Sequence, residues 1–130
     1  MAVRQSAVGE TNGELARRGF EAVLRGDFEL VGRLLDPHVK WHGGDPSALG
    51  ACRNREQALA FMRAARGRVG DIEVIDVVAA GDKVVVIMGP PTADGERAWT
   101  VANLTTFRDG KVIEIVHYPD PHDALAAAGA

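Results

Sequence analysis

Hydrophobic positions in the first half of the chain recur every three to four residues, and in the second half every two. Ala16, Phe20, Val23 and Leu24 share one helical stripe. Thr11 and Glu14 before them have the capping-box spacing, in which each side chain satisfies an orphan backbone donor. Gly26 stops this helix. Asp27 caps a short second one through Leu30, Val31, Leu34 and Leu35, which Asp36-Pro37 ends. His38–Trp41 reads as a short strand and His42–Ala51 as a Gly-rich loop. Asn54 and Gln57 cap a third helix carrying Ala58, Phe61, Met62 and Ala65, with Gly67 as its stop.

Beyond Gly67 the period changes to strand. Asp71–Ala79 and Lys83–Met88 flank a turn at Gly81-Asp82. Pro90-Pro91 breaks the second of these, Asp94-Gly95 turns, and Arg97–Arg108 leads to a hairpin at Asp109-Gly110. On the last strand, Lys111–Tyr118, strict alternation puts Ile113, Ile115 and His117 on one face and Val112, Glu114, Val116 and Tyr118 on the other. An Ala-rich tail helix, Ala124–Ala128, closes the chain, and Met1–Glu10 reads as a loose tail. Helices followed by a run of antiparallel strands is an α+β pattern, with a curved antiparallel or mixed sheet wrapped around the N-terminal helices. Three short helices cannot cover both faces of such a sheet. The sheet must curl into a cone, and its outer apolar face calls for a second copy of the chain, a homodimer.

At 130 residues this is a single domain, 1–130, with enough chain to bury a core without staples. A formal charge of −3 leaves no electrostatic footprint for nucleic acid or an anionic membrane. The lone Cys52 excludes an internal disulfide and a cysteine-rich metal site, and it fits a reducing, cytoplasmic compartment. No apolar run is long enough for a membrane span and no secretory leader is visible. The four histidines have no metal-ligand spacing, and neither a phosphate loop nor a dinucleotide fingerprint is present, so no metal and no cofactor are expected.

Candidate chemistry therefore rests on isolated polar residues in apolar settings. His117, in line with Ile115, can exchange a proton near neutral pH inside a cavity. His42, between Trp41 and Gly43-Gly44, can be presented by a loop at the cavity mouth. Asn103, on the face of Val101 and Thr105, can donate to a developing oxyanion. Asp76, between Ile75 and Val77, is a further candidate carboxylate. Trp41, Phe61 and Tyr118 are candidate pocket walls, and Arg53 at a helix start is a candidate anion contact.

Several phrases carry a family resemblance: Arg25-Gly26-Asp27, Leu35-Asp36-Pro37, Thr106-Phe107-Arg108-Asp109-Gly110-Lys111-Val112 and His117-Tyr118. From Leu15 to Tyr118 the chain resembles the nuclear transport factor 2-like (SnoaL-like) superfamily of ketosteroid isomerases, polyketide cyclases, epoxide hydrolases and scytalone dehydratases. The resemblance implies a cystatin-like, cone-shaped α+β barrel with a pocket for a small apolar oxygenated molecule, and pairing of two copies through the sheet. Against the ketosteroid isomerases, His42 stands at the position of the general-base carboxylate. Asn103 stands near the protonated acid of the oxyanion hole, and Gly19 near its tyrosine. All three groups differ from the isomerase set. The resemblance to scytalone dehydratases, which use pocket histidines, pairs His42 with His117. The Asp-Arg-Asp set of the epoxide hydrolases has no motif match, although Asp45, Arg53 and Asp76 supply the residue types. Two readings follow: an isomerase, cyclase or dehydratase working by proton transfer, or a non-catalytic binding or dimerisation module. Convergence of His42, Asn103 and His117 on one cavity separates them.

Overall fold

The computed structural model describes residues 11–66, 71–92 and 97–130; the tail Met1–Glu10, the helix stop at Gly67 and the turn at Asp94-Gly95 lie outside them. Three helices precede or interrupt the sheet: α1 (Asn12–Arg25), α2 (Phe28–Leu34) and α3 (Arg55–Arg66). The Thr11 side chain accepts from the Glu14 N–H and the Glu14 carboxylate from the Thr11 N–H, completing the capping box. Gly26 closes α1 at φ +82°, a left-handed conformation that a Cβ would oppose. Asn54 accepts from Gln57 N–H at the start of α3, but Gln57 returns its oxygen to the Arg53 N–H, one residue further out than in a simple box.

Five strands form one curved sheet whose edges do not meet: β1 (Leu35–His42), β2 (Glu73–Ala80), β3 (Lys83–Gly89), β4 (Val101–Arg108) and β5 (Lys111–Tyr118). Their order is β1-β5-β4-β3-β2, with only β1 and β5 parallel. The strand expected from Arg97 begins instead at Val101. Arg97 is held elsewhere, donating to the Pro90 carbonyl and pairing with Glu73 at 2.8 Å.

The inner face of the sheet meets α1–α3 over a core that includes Phe20, Val31, Val39, Met62, Val84 and Ile115. The face assignment on β5 needs one correction. A bulge between the Thr106↔Glu114 and Phe107↔Val112 pairs leaves Ile113 without an opposite number. Val112, Ile115 and His117 consequently look inward, and Ile113 drops out of the row that strict alternation gives it.

The outer face is covered by the chain itself. Helix α4 (Pro121–Ala128) starts three residues before its expected first residue, because Asp120 caps it by accepting from His122 N–H and Pro121 opens it. It lies on β3, β4 and β5, where Val85, Ala102, Leu104 and Val116 are buried with Ala124. A fourth helix thus takes the surface for which three helices were too few, and covering it does not require a second copy.

Gly89 marks the tightest point of the frame. A Cβ there would stand 2.8 Å from the Trp99 carbonyl oxygen and 3.0 Å from Ile75 Cδ1. Gly89→Ala is expected to lower stability by about 1–3 kcal/mol, the usual range for overpacking, because a backbone atom cannot move aside cheaply. Chemical denaturation of the variant measures it, and an unchanged midpoint would show that segment 97–100 gives way freely.

Candidate functional site

The inner face and the helices do not close completely on each other. Between them lies a cavity of about 880 Å³, walled by Phe20 and Leu24 of α1, Phe61 of α3, Trp41 of β1, Met88 of β3 and Trp99. Its volume is in the range of small-molecule sites. Three aromatic rings order one wall: Phe20 meets Trp41 edge-on at 6.5 Å, and Trp41 meets Phe61 edge-on at 5.2 Å. The rim carries Arg66, Asp71 and Glu73.

Two polar side chains enter this apolar space from neighbouring strands, Asn103 of β4 and His117 of β5, which are directly opposite in the register. Their side chains are joined by His117 Nδ1 and Asn103 Oδ1 at 3.3 Å. Asn103 Nδ2 donates to Met88 Sδ at 3.8 Å, which orients the amide with its oxygen toward the histidine. His117 Nδ1 is then the protonated nitrogen, and Nε2 carries a lone pair with no partner among the described residues. Burial holds the imidazole below its ordinary value of 6.5, because the apolar wall solvates the charged form poorly. An orientated, neutral imidazole with one open nitrogen is a proton acceptor. The second amide hydrogen of Asn103 is available to an oxygen beside it.

His42 is directed differently. Register places Trp41 opposite Ile115 and His42 opposite Val116, so the imidazole leaves β1 on the face away from Trp41. There Nε2 lies 2.8 Å from Glu114 Oε2, and Nδ1 accepts the Gly44 N–H at 3.0 Å. An acceptor at Nδ1 requires the tautomer with its proton on Nε2, which donates to the carboxylate. Both nitrogens are engaged, and the ring holds the end of β1 against β5. His42 and His117 border a common smaller cavity under loop 43–51, but the expected His42–His117 acid–base pair is not assembled. Glu114→Ala is expected to cost about 1–3 kcal/mol, by leaving a buried N–H unpaired. Catalysis at His117 should survive that change. Denaturation midpoints and turnover measured on one preparation test both parts.

The remaining candidates divide cleanly. Trp41 and Phe61 line the large cavity. Tyr118 lies opposite Ala102 and packs with the outer cluster under α4, because the bulge fixes it one residue out of phase with His117. Asp76 is opposite Ile87 on the outer side of the edge strand β2, exposed, and accepts from the Val77 N–H. Arg53 is exposed and absent from the cavity walls; its carbonyl instead accepts from Lys40 Nζ. Asp45 accepts from Ser47, with Arg53 and Asp76 on other surfaces, so no Asp-Arg-Asp set forms. Cys52 donates to the Gln57 carbonyl, and burial pushes its thiol up, away from the nucleophilic thiolate. Gly19 faces a separate void of about 30 Å³ with Thr105, so nothing from that position of α1 reaches His117. Among the described residues no group of three or more His, Cys, Asp or Glu is placed to hold a metal ion, and no helix is long and apolar enough to cross a membrane.

Two features of the site are silent in the sequence alone. Met88 serves as a sulfur acceptor because β3 and β4 are neighbours, a fact of topology. Glu114 as the partner of His42 had a faint signal, a lone carboxylate inside the apolar run Val112–Tyr118.

Comparison with known proteins points the same way. A family model described as a SnoaL-like domain matches residues 16–115. Among solved structures, the chain is similar to Bal32a from a soil-derived mobile gene cassette, at 24% identity and TM-score 0.66, covering 85% of this chain and 91% of that one. It is also similar to a nuclear transport factor 2-like protein of unknown function from Cytophaga hutchinsonii, at 16% identity and TM-score 0.66, covering 95% and 97%. A de novo designed protein with a curved β-sheet matches at 24% identity and TM-score 0.62, covering 89% and 95%. Curated protein sequences give no match. A fold shared with a designed protein specifies no chemistry of its own, so function has to be argued from the cavity.

Proposed function

The chain belongs to the SnoaL-like domain family, and from that premise we propose that it binds a small apolar oxygenated molecule in the large cavity and moves a proton on it without a cofactor. The observation that carries this reading is the His117 imidazole, held neutral by burial and oriented by Asn103, with Nε2 open inside an apolar cavity.

One base and one amide suit reactions in which a single group takes a proton and returns it. His117 Nε2 would remove a proton from the carbon next to a carbonyl, becoming imidazolium. The electron pair left behind moves into the carbonyl, and the resulting enolate oxygen takes the free N–H of Asn103. Return of the same proton to a different carbon completes an isomerisation, and attack of the enolate carbon on a second carbonyl completes a cyclisation. Dehydration asks in addition for a proton on the departing hydroxyl. The imidazolium can supply that only on the face from which it took the first.

The absence of a second titratable group beside His117 in the walls favours one alternative, a binding module that uses Asn103 and His117 only as hydrogen-bonding contacts. Rate against pH separates the two. If His117 is the base, kcat/KM for a carbonyl compound undergoing exchange or isomerisation should fall with acidification, with its inflection below 6.5. Stability should follow a related course. The unfolded chain binds a proton at His117 more readily than the folded one, so this contribution is intact above 6.5 and is lost as pH falls through the lower folded value. A melting temperature that is equally steep in pH for wild type and His117→Gln would remove the titration from His117, and the base with it.

A further inference from the structure

Loop 43–51, between β1 and α3, encloses the second cavity, of about 370 Å³. Three residues belong to the walls of both cavities: Trp41, Phe61 and His117. The Trp41 and Phe61 rings, in edge contact, form the partition between the two spaces, and His117 is reached from either side. The loop's polar groups are turned onto the loop itself. Asp45 accepts from the Ser47 N–H and hydroxyl, Ala51 N–H donates to the Ala48 carbonyl, and Cys52 exchanges both backbone bonds with Trp41. What remains toward the cavity is mainly apolar, including Ala48, Ala51 and Leu49, whose side chain is fully exposed. A loop with satisfied hydrogen bonds and an uncovered leucine is a preformed apolar wall that lacks its occupant.

We infer that the small cavity is a second binding subsite, and that the ligand has two parts: a fused-ring body in the large cavity and a single apolar ring under loop 43–51, joined across His117. The inference rests on the reading of the large cavity as a ligand site. The junction position has a chemical consequence. The bond between the two parts lies beside Nε2, so the proton that moves is one at the link rather than one at a far end of the body.

Calorimetric titration with two probes tests this. 2-Naphthol offers a body with one hydroxyl, and 6-phenyl-2-naphthol adds the single ring. Wild-type protein should bind the phenyl compound at least about tenfold more tightly, as expected for burial of an added apolar ring. Ala51→Phe, which fills the small cavity, should abolish that gain and leave the Kd of 2-naphthol unchanged. Should Ala51→Phe melt early, Ala48→Trp takes its place. A gain that persists when the cavity is filled, or a gain below twofold in wild type, overturns the subsite. If 2-naphthol binds normally and only the gain is missing, the subsite alone falls. If 2-naphthol fails to bind wild-type protein, the large cavity as a ligand site falls with it.

Discussion

Replacing His117 with Gln is expected to reduce turnover by roughly 10²–10⁴-fold, the range a positioned general base contributes, while the protein continues to fold. Glutamine is close in size to imidazole and can keep the bond to Asn103, since its own amide donates to Oδ1. What it lacks is a lone pair basic enough to accept a proton near neutral pH. Asn103→Leu should cost about 3 kcal/mol of barrier if the amide stabilises an enolate oxygen, and it should also free the His117 ring to rotate. The diagnostic is the pairing of measurements. A large loss of kcat with an unchanged melting curve assigns the histidine to chemistry. Early melting with normal ligand affinity in the folded fraction would assign both residues to the frame.

The second large effect concerns α4. Ending the chain at Asp120 should uncover Val85, Ala102, Leu104 and Val116, which are at most 9% exposed beneath that helix. Stability should fall on the order of 3 kcal/mol, from lost apolar burial, and the truncated chain should self-associate through the bared strands. Sedimentation velocity and urea denaturation, run beside the full chain, read both quantities. A truncated species that stays monomeric with an unchanged midpoint would show that α4 rests on the sheet without holding it. The same run settles the homodimer proposed from the sequence. Sedimentation of the intact chain at 13.8 kDa would leave α4 as sole cover of that face.

Much of the frame was legible because it rests on local chemistry. Thr11 with Glu14, Asp27, Asn54 with Gln57, and Asp109-Gly110 each announce a helix start or a turn within four residues, and the structure puts boundaries there. Asn103 and His117 were legible as inward residues because alternation holds over the short stretch from Ile115 to His117. The residues that went elsewhere did so for non-local reasons. His42 depends on which strand lies beside β1. That neighbour is β5, far along the chain, and its Glu114 captures the ring. Tyr118 follows from the bulge and from a tail helix whose docking place no periodicity encodes. Arg53 looked free at a helix start. Its backbone, not its side chain, turns out to be the connected part, through Gln57 and Lys40.

The bulge at Ile113 acts as a phase marker for the last hairpin. It lets a turn at Asp109-Gly110 and a histidine seven residues later coexist with an even–odd pattern that would otherwise point one of Val112 or His117 the wrong way. Deleting one residue there would exchange inside for outside over the rest of the strand, carrying His117 to the α4 side and bringing Val116 and Tyr118 into the cavity. Such a chain would retain almost its whole composition and hydropathy. Length changes in this hairpin are therefore a harsher filter on the site than most substitutions, and variants that differ there by an even number of residues are the ones able to keep the imidazole in place.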